Sequence, residues 1–322
     1  MKGTLVKLLK KLKLFEFVKK IYIKLDCRKK LTKKYVFECR KKDKKKVCLI
    51  LAGYKEFLYD NVFDRIKKFI TDDIDVCILS SGKYSQKLSN IAKENDWSYL
   101  STKKNNVALI QNVAINLFTE AEYIYKLDED IFVTDNYFKT LYDTLIEAEN
   151  NGSYKAGFVA PTIPINGFGN MIILNRFGLV DFYTKNFEKP LYAAGRDRMV
   201  ENNPEVAKFF WGDKGYLPNI DKMNAIMQKD DFSYVACPIR FSIGAILFKK
   251  EFWKKMKMFK VVNGSGMGSD EQQICEFCIS NSNAIIVSKN SVVGHLSFGK
   301  QNETMKKYFE ENKEIFNINN EE

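Results

Sequence analysis

A single histidine, His295, occurs in the 322 residues. Cys275-Glu276-Phe277-Cys278 therefore finds neither a paired histidine nor a second CxxC to complete a zinc site. The seven cysteines, at 27, 39, 48, 77, 237, 275 and 278, are odd in number and scattered through apolar contexts. That argues against a disulfide framework and fits small core residues in a reducing cytosol. No apolar run is long enough to span a bilayer, and Lys7, Lys10, Lys11 and Lys13 interrupt any signal-peptide core. The expectation is a chain neither transmembrane nor secreted by that route. Internal repeats are missing, as are low-complexity linkers beyond a lysine-rich N-terminal arm.

What is present is apolar material, 45% of the chain with 14% aromatics, enough to bury one large or two modest domain cores. Charge is unevenly placed. Residues 1–46 hold 19 Lys or Arg against 4 Asp or Glu, a net of +15 in a chain whose total is +12, so the remainder carries about −3. The globular body has no basic bias that would argue for nucleic acid as a partner. In the arm, Leu5, Leu8, Leu12, Phe15, Val18 and Tyr22 recur at three- or four-residue steps with lysines largely around the other faces. That is the pattern of a basic amphipathic helix. It suits an anionic membrane surface, with residues 1–46 holding a cytoplasmic protein on the inner face of the plasma membrane. The alternative is a helix packed on its own protein. The run Lys29 to Lys46, too polar to bury, favours the membrane.

From Val47 strands alternate with helices. Val47 to Ala52 is a short continuous apolar run ending at Gly53, as expected of a buried parallel strand. A helix follows over 59–70, then a strand at Ile74 to Leu79 and a helix over 84–95. A short strand at Trp97 to Leu100, a helix from Val107 to Phe118 and a strand over Ala121 to Leu127 complete the set. This alternation predicts an α/β fold with a mostly parallel, Rossmann-like sheet flanked by helices, and ligands at the carboxyl ends of its strands. A helix over 135–149 and a strand from Lys155 to Ala160, ending at Pro161, come next. Residues 161–235 then hold most of the prolines and few clean periods, and read as an insertion shaping a binding surface. Within it Phe209, Phe210 and Trp211 suit either sugar stacking or a small core. Arg240 to Lys249 reads as a strand and Glu251 to Met258 as a helix. The domain limits are then 1–46 for the arm, 47–300 for the main domain and 301–322 for a C-terminal helix and tail.

The strand 121–127 runs into Asp128-Glu129-Asp130. Side chains alternate along an extended segment, so Asp128 and Asp130 point the same way with Cα atoms roughly 6.5 Å apart, while Glu129 points away. Such a triplet can be a solvated turn. Here a buried strand feeds it, and carboxylates at a sheet's end are costly unless a metal or a base neutralises them. The pair is expected to hold Mn2+ or Mg2+, leaving coordination positions for the phosphate oxygens of a nucleotide diphosphate.

A second acidic pair lies in Gly266-Met267-Gly268-Ser269-Asp270-Glu271-Gln272, where Ser269 as N-cap and Gln272 three residues on fit a capping box. Asp270 and Glu271 then either complement a helix dipole or supply a general base for an acceptor hydroxyl. His295 follows two β-like pieces, Ala284 to Val287 and Ser291 to His295. A lone histidine is commonly a core or surface residue, but Lys300 shortly after it can reach the same phosphates.

These residues resemble the GT-A glycosyltransferases, above all bacterial family-two-like enzymes, over roughly residues 47–300. Val47 to Tyr54 corresponds to the turn that begins to hold the nucleotide, and Lys104 to Asn112 to the helix before the metal motif. Asp128-Glu129-Asp130 matches the DxD motif, and Ser242 to Trp253 the strand and helix before the acidic catalytic element. The resemblance implies a nucleotide-sugar site at Ala52, Gly53, Tyr54, Ser81, Asn112, Asp128 and Lys300. Asp130 would bind metal directly, Asp128 would contact ribose or metal-bound water, and His295 would be the late metal ligand. Asp270 or Glu271 would be the base. The second strand departs from the pattern, ending in Leu79-Ser80-Ser81-Gly82 where many relatives carry paired aspartates. Phe298-Gly299-Lys300 has the character of retaining relatives, so both stereochemical outcomes stay open. The implied activity is transfer of a sugar, a UDP-sugar being the favoured donor, to a glycan or lipid-linked acceptor in bacterial surface polysaccharide synthesis. Two rivals are a nucleotidyltransferase of sugar phosphates, against which the lack of an early glycine- and arginine-rich phosphate loop speaks, and a non-catalytic membrane- or glycan-binding module.

Overall fold

The computed structural model describes residues 29–193 and 198–318, together with residues 14, 17, 18 and 21. Apart from exposed Val18, the apolar stripe of the expected N-terminal helix lies outside the described residues. Eleven strands are described: β1 Tyr35–Glu38, β2 Lys46–Leu51, β3 Ile74–Ser81, β4 Ser98–Thr102, β5 Tyr123–Asp128, β6 Ile131–Phe132, β7 Ala156–Thr162, β8 Tyr234–Cys237, β9 Ala245–Lys249, β10 Ala284–Val292 and β11 Gly294–His295. Nine form one sheet in the order β1-β4-β3-β2-β5-β9-β7-β10-β8, and β6 pairs with β11 separately. β2, β3, β4 and β5 run parallel, as do β7 and β10, while β1, β8 and β9 are antiparallel to their neighbours. The fold is the expected α/β sheet, mostly parallel and flanked by helices.

Local chemistry accounts for the central strands. β2 is buried from Val47 to Ile50, as a strand covered on both faces must be. The helix Tyr59–Phe69 buries Tyr59, Val62, Phe63 and Ile66, one face at three- and four-residue steps. The helix Gln86–Glu94 starts where Ser85 Oγ accepts from the Leu88 amide, and Val107–Leu117 where Asn106 Oδ1 accepts from Leu109. Asn106 is fully buried and also donates to the carbonyls of Val262 and Gly264, so one side chain caps a helix and pins a loop 156 residues on.

Several boundaries differ from expectation. β1, within the run read as too polar to bury, pairs antiparallel with β4 at the sheet edge, and the Asp75 carboxylate accepts from the amides of Lys42 and Lys44. β7 continues through Pro161, which lies opposite Ser288 of β10. β9 begins at Ala245, five residues later than expected. Between residues 161 and 235 lie the helices Gly169–Arg176, Val180–Asn186, Met199–Asn202, Pro204–Phe210 and Ile220–Gln228. Phe209, Phe210 and Trp211 are buried: Phe209 packs on Phe182, Tyr183 and Phe187, and Trp211 on Phe132 and Phe316. They are core, and offer no face for a sugar to stack on. The described cysteines are free thiols, all buried except Cys39, and Cys275 and Cys278 sit inside a helix against the core. No described helix is long and apolar enough to cross a membrane.

The C-terminal helices Asn302–Glu311 and Lys313–Phe316 are tied back by Arg65, which is fully buried. Its guanidinium is bidentate to Asp221 at 2.7 and 2.8 Å and donates to the carbonyls of Val133, Phe316 and Asn317. With every donor direction engaged, the burial of this charge is compensated, and the region after β5, the insertion and the C-terminus are locked together.

Candidate active site

The parallel register decides what surrounds the acidic triplet. Leu51 of β2 lies opposite Leu79 of β3 and Asp128 of β5, so the turn after β2 and the triplet leave the sheet side by side. On the other flank the Asp128 amide donates to the Gly244 carbonyl at 2.8 Å, just before β9. β5 ends at Asp128, so Glu129 and Asp130 lie in a turn and not in the extended segment expected; the Glu129 carboxylate accepts from the amides of Gly53 at 2.8 Å and Tyr54 at 2.9 Å. Burial raises the Glu129 pKa, and the amides of Gly53, Lys55 and Tyr54 oppose that rise. Gly53 has φ +143°, a backbone that favours glycine.

The ribbon of β6 and β11 explains how a histidine 165 residues away arrives. Ile131 lies opposite His295 and Phe132 opposite Gly294, and the Leu296 amide donates to the Asp130 carbonyl. Gly294 is needed for close approach: a Cβ there would stand 2.3 Å from the Trp211 ring and 2.6 Å from Ile220. The outcome is His295 Nε2 at 3.1 Å from Asp130 Oδ2, both side chains buried. Lys55 Nζ donates to the same Oδ2. Burial opposes ionisation of Asp130, but the charges and hydrogen bonds of His295 and Lys55 outweigh it and hold the carboxyl well below the usual range.

Asp128 is partly exposed and takes an ion pair from buried Lys126, Nζ to Oδ1 2.6 Å. Burial pushes its carboxyl up to about 6; Lys126 opposes this, and the charges of Asp130 and Asp270 add to it. Asp270 is thus close enough for its field to be felt at the triplet. It is buried in the first turn of the helix Ser269–Ser280, where Gln111 Nε2 donates to its Oδ2 at 2.8 Å. Glu271 turns the other way, to Arg240 Nε. The expected capping box is not formed. Gly268, at φ +74°, is the N-cap, so Ser269 is already helical; its hydroxyl donates to the Gly266 carbonyl and Gln272 Nε2 donates to the Glu276 carboxylate.

The other candidate residues divide. Ala52 is buried at the end of β2, its amide donating to the Leu79 carbonyl, and Tyr54 is exposed with its hydroxyl on Asn105 Oδ1 at 3.1 Å. Ser81 Oγ accepts from the Asn106 amide at 2.6 Å. Asn112 does not reach the site. It is fully buried, donating to the carbonyls of Lys30 and Phe259 and accepting from Trp253 Nε1 and the Phe259 amide, which leaves no group for a ligand. Lys300 is exposed in the turn Gly299–Gln301 after the β11 strand. Residues that sequence reasoning passed over are Lys55, Lys126, Gln111 and Arg240. The nearest signal for Lys55 was its place directly after the Gly53-Tyr54 turn.

Among the described residues no three His, Cys, Asp or Glu side chains close on one point. The protein offers two donors, a carboxylate oxygen of Asp130 and Nε2 of His295. That set fits a divalent cation such as manganese, with phosphate and water oxygens completing the shell. His295 also lines a cavity of about 10 Å³ together with Pro164, Ile165, Trp211 and Ile220. Its Nδ1 is buried without a hydrogen-bond partner.

No protein-family model matches the chain, and no curated protein matches it. Among solved structures it is similar to the crystal structure of GalNAc-T7 with UDP, GalNAc and Mn2+, at 10% identity, covering 81% of this chain and 45% of that one with TM-score 0.46. It is also similar to the mannosyltransferase PcManGT from Pyrobaculum calidifontis in complex with GDP-Man and Mn2+, at 13% identity over 79% of this chain and 57% of that one, with TM-score 0.45. The chain spans about half the length of these two structures.

Proposed function

We propose that the protein is a GT-A glycosyltransferase that moves a hexosyl group from a nucleotide-diphosphate sugar, a UDP-sugar first, to a glycan or lipid-linked acceptor, with Mn2+ or Mg2+ as cofactor. The observation that carries the reading is the approach of His295 to Asp130, 3.1 Å across 165 residues of chain, at the carboxyl end of a parallel strand. Asp130 and His295 would hold the cation, which when bound offsets the charge of the departing diphosphate. The turn Ala52-Gly53-Tyr54, with Ser81 on the adjacent strand end, lies where a nucleotide would rest; Asp128 would face its ribose, and Lys300 would meet its phosphates. Asp270 takes the role of base. It is buried next to the triplet with a neutral partner, Gln111, that orients one oxygen and leaves the other to accept a proton from the acceptor hydroxyl. Glu271, engaged with Arg240, is less suited to that role. The setting we infer is surface polysaccharide synthesis on the cytoplasmic face of a bacterial membrane, with the basic residues 1–46 on anionic lipid.

Calorimetric titration with UDP and GDP, with and without Mn2+, tests the reading, followed by a screen of nucleotide-sugar hydrolysis. Binding that needs the metal and is lost in Asp130→Asn is the expected result. Equal binding in excess chelator would overturn it. Release of pyrophosphate from a nucleoside triphosphate and a sugar phosphate would favour a nucleotidyltransferase instead.

A further inference from the structure

We propose that Lys55 is the built-in counter-ion of the candidate cation site, and that loading the site requires its ammonium to leave Asp130. The inference rests on the reading of Asp130 and His295 as cation donors. A buried carboxylate needs a positive charge or a dense set of hydrogen bonds. Lys55 Nζ and His295 Nε2 converge on one oxygen, Asp130 Oδ2, which is also the atom a metal would take.

The two partners differ in freedom. His295 is fixed in β11 opposite Ile131, behind a glycine with no room for a side chain. The Lys55 side chain keeps about a quarter of its surface exposed, against 7% for Asp130, so the ammonium reaches the carboxylate from the open side. Its backbone is held: the amides of Gly53, Tyr54 and Lys55 converge on Glu129, and the Lys55 carbonyl accepts from Leu58 at 2.9 Å. A fixed backbone under a long, partly exposed side chain lets the charge move over several ångströms without rebuilding the turn. Lys126 is no substitute, being almost wholly buried and bound to Asp128.

Two consequences follow from competition at one oxygen. The cation alone binds weakly, because it has two protein donors and an ammonium to displace. A nucleoside diphosphate relieves both difficulties, since its phosphates supply oxygen ligands and give the released ammonium a new anionic partner. Lys55 would therefore couple metal binding to nucleotide binding.

Mn2+ titrations of the wild type, Lys55→Ala, Lys55→Arg and Asp130→Asn, each with and without UDP, test this, with circular dichroism to verify folding. Without UDP, Lys55→Ala should bind Mn2+ about tenfold more tightly than wild type, the change expected on removing one competing charge from a partly screened site. Lys55→Arg should stay near wild type. With UDP the advantage of Lys55→Ala should disappear. If wild type binds Mn2+ through Asp130 but Lys55→Ala binds the free ion no more tightly, the inference is overturned and the assignment of the site stands. If no variant binds Mn2+ with or without UDP, both fall. A misfolded Lys55→Ala would be replaced by Lys55→Gln, for which the same two results decide.

Discussion

The two acidic clusters, Asp128-Glu129-Asp130 and Asp270-Glu271, share a plan and differ in their counter-charges. In each, one carboxylate turns inward and its neighbour braces a loop from elsewhere in the chain: Glu129 holds the amides of Gly53 and Tyr54, and Glu271 holds Arg240. Asp130 has an ammonium and an imidazole on one oxygen, whereas Asp270 has a neutral amide. A carboxylate that already holds a mobile ammonium is suited to exchanging it for another cation. On the proposed reading, cation binding falls to the first cluster and proton transfer to the second, and mutations should separate them.

The largest effect is expected from Asp130→Asn. Losing a ligand to the cation removes several kcal/mol of transition-state stabilisation, on the order of a thousandfold or more in kcat/KM. Mn2+-dependent nucleotide binding should vanish with it while the circular dichroism spectrum is kept. Asp270→Asn should instead lower kcat by about a hundred- to ten-thousandfold, with nucleotide affinity within about twofold of wild type. If Asp270→Asn abolished nucleotide binding as well, the division of labour between the clusters would be lost.

Glu129→Gln comes third. The side chain keeps its shape but offers one neutral acceptor where a carboxylate now serves several amides, a loss of about 1–3 kcal/mol locally. Because the turn it braces carries Gly53, Tyr54 and Lys55, nucleotide affinity should fall by about tenfold while kcat at saturation changes little. A calorimetric titration together with saturation kinetics separates the two.

Much of this contrast was legible in the sequence, for identifiable reasons. β2 and β5 could be read because both faces are buried and the apolar run is continuous. The run of a buried strand into two aspartates one residue apart marked the triplet, although its last two residues are a turn and not extended strand, and His295 stood out as the lone imidazole. The helices after β7 could not be read. Gly169–Arg176 buries Gly169, Asn170, Ile172, Ile173 and Leu174, too many sides for a period to appear, and Val180–Asn186 buries Tyr183 alone. Lys55 was invisible for another reason: its partner lies 75 residues on, and only the parallel register of β2 against β5 brings them together. Asn112 was placed at the nucleotide by the resemblance alone, and its side-chain amide instead pins the Phe259 loop.

Glu271→Gln should have the smallest effect, and that sharpens the comparison most. Its pair with Arg240 is partly exposed, one third of the Arg240 side chain being open to solvent. An ion pair in such a place contributes about 0–1 kcal/mol. Glu129, by contrast, is buried and serves main-chain amides that have no other partner in the turn. The same charge-removing substitution is therefore expected to cost little at 271 and much at 129, with kcat/KM of Glu271→Gln within about threefold of wild type. A loss comparable to that of Asp270→Asn would mean that Glu271 leaves Arg240 when the acceptor binds, and would transfer the role of base to it.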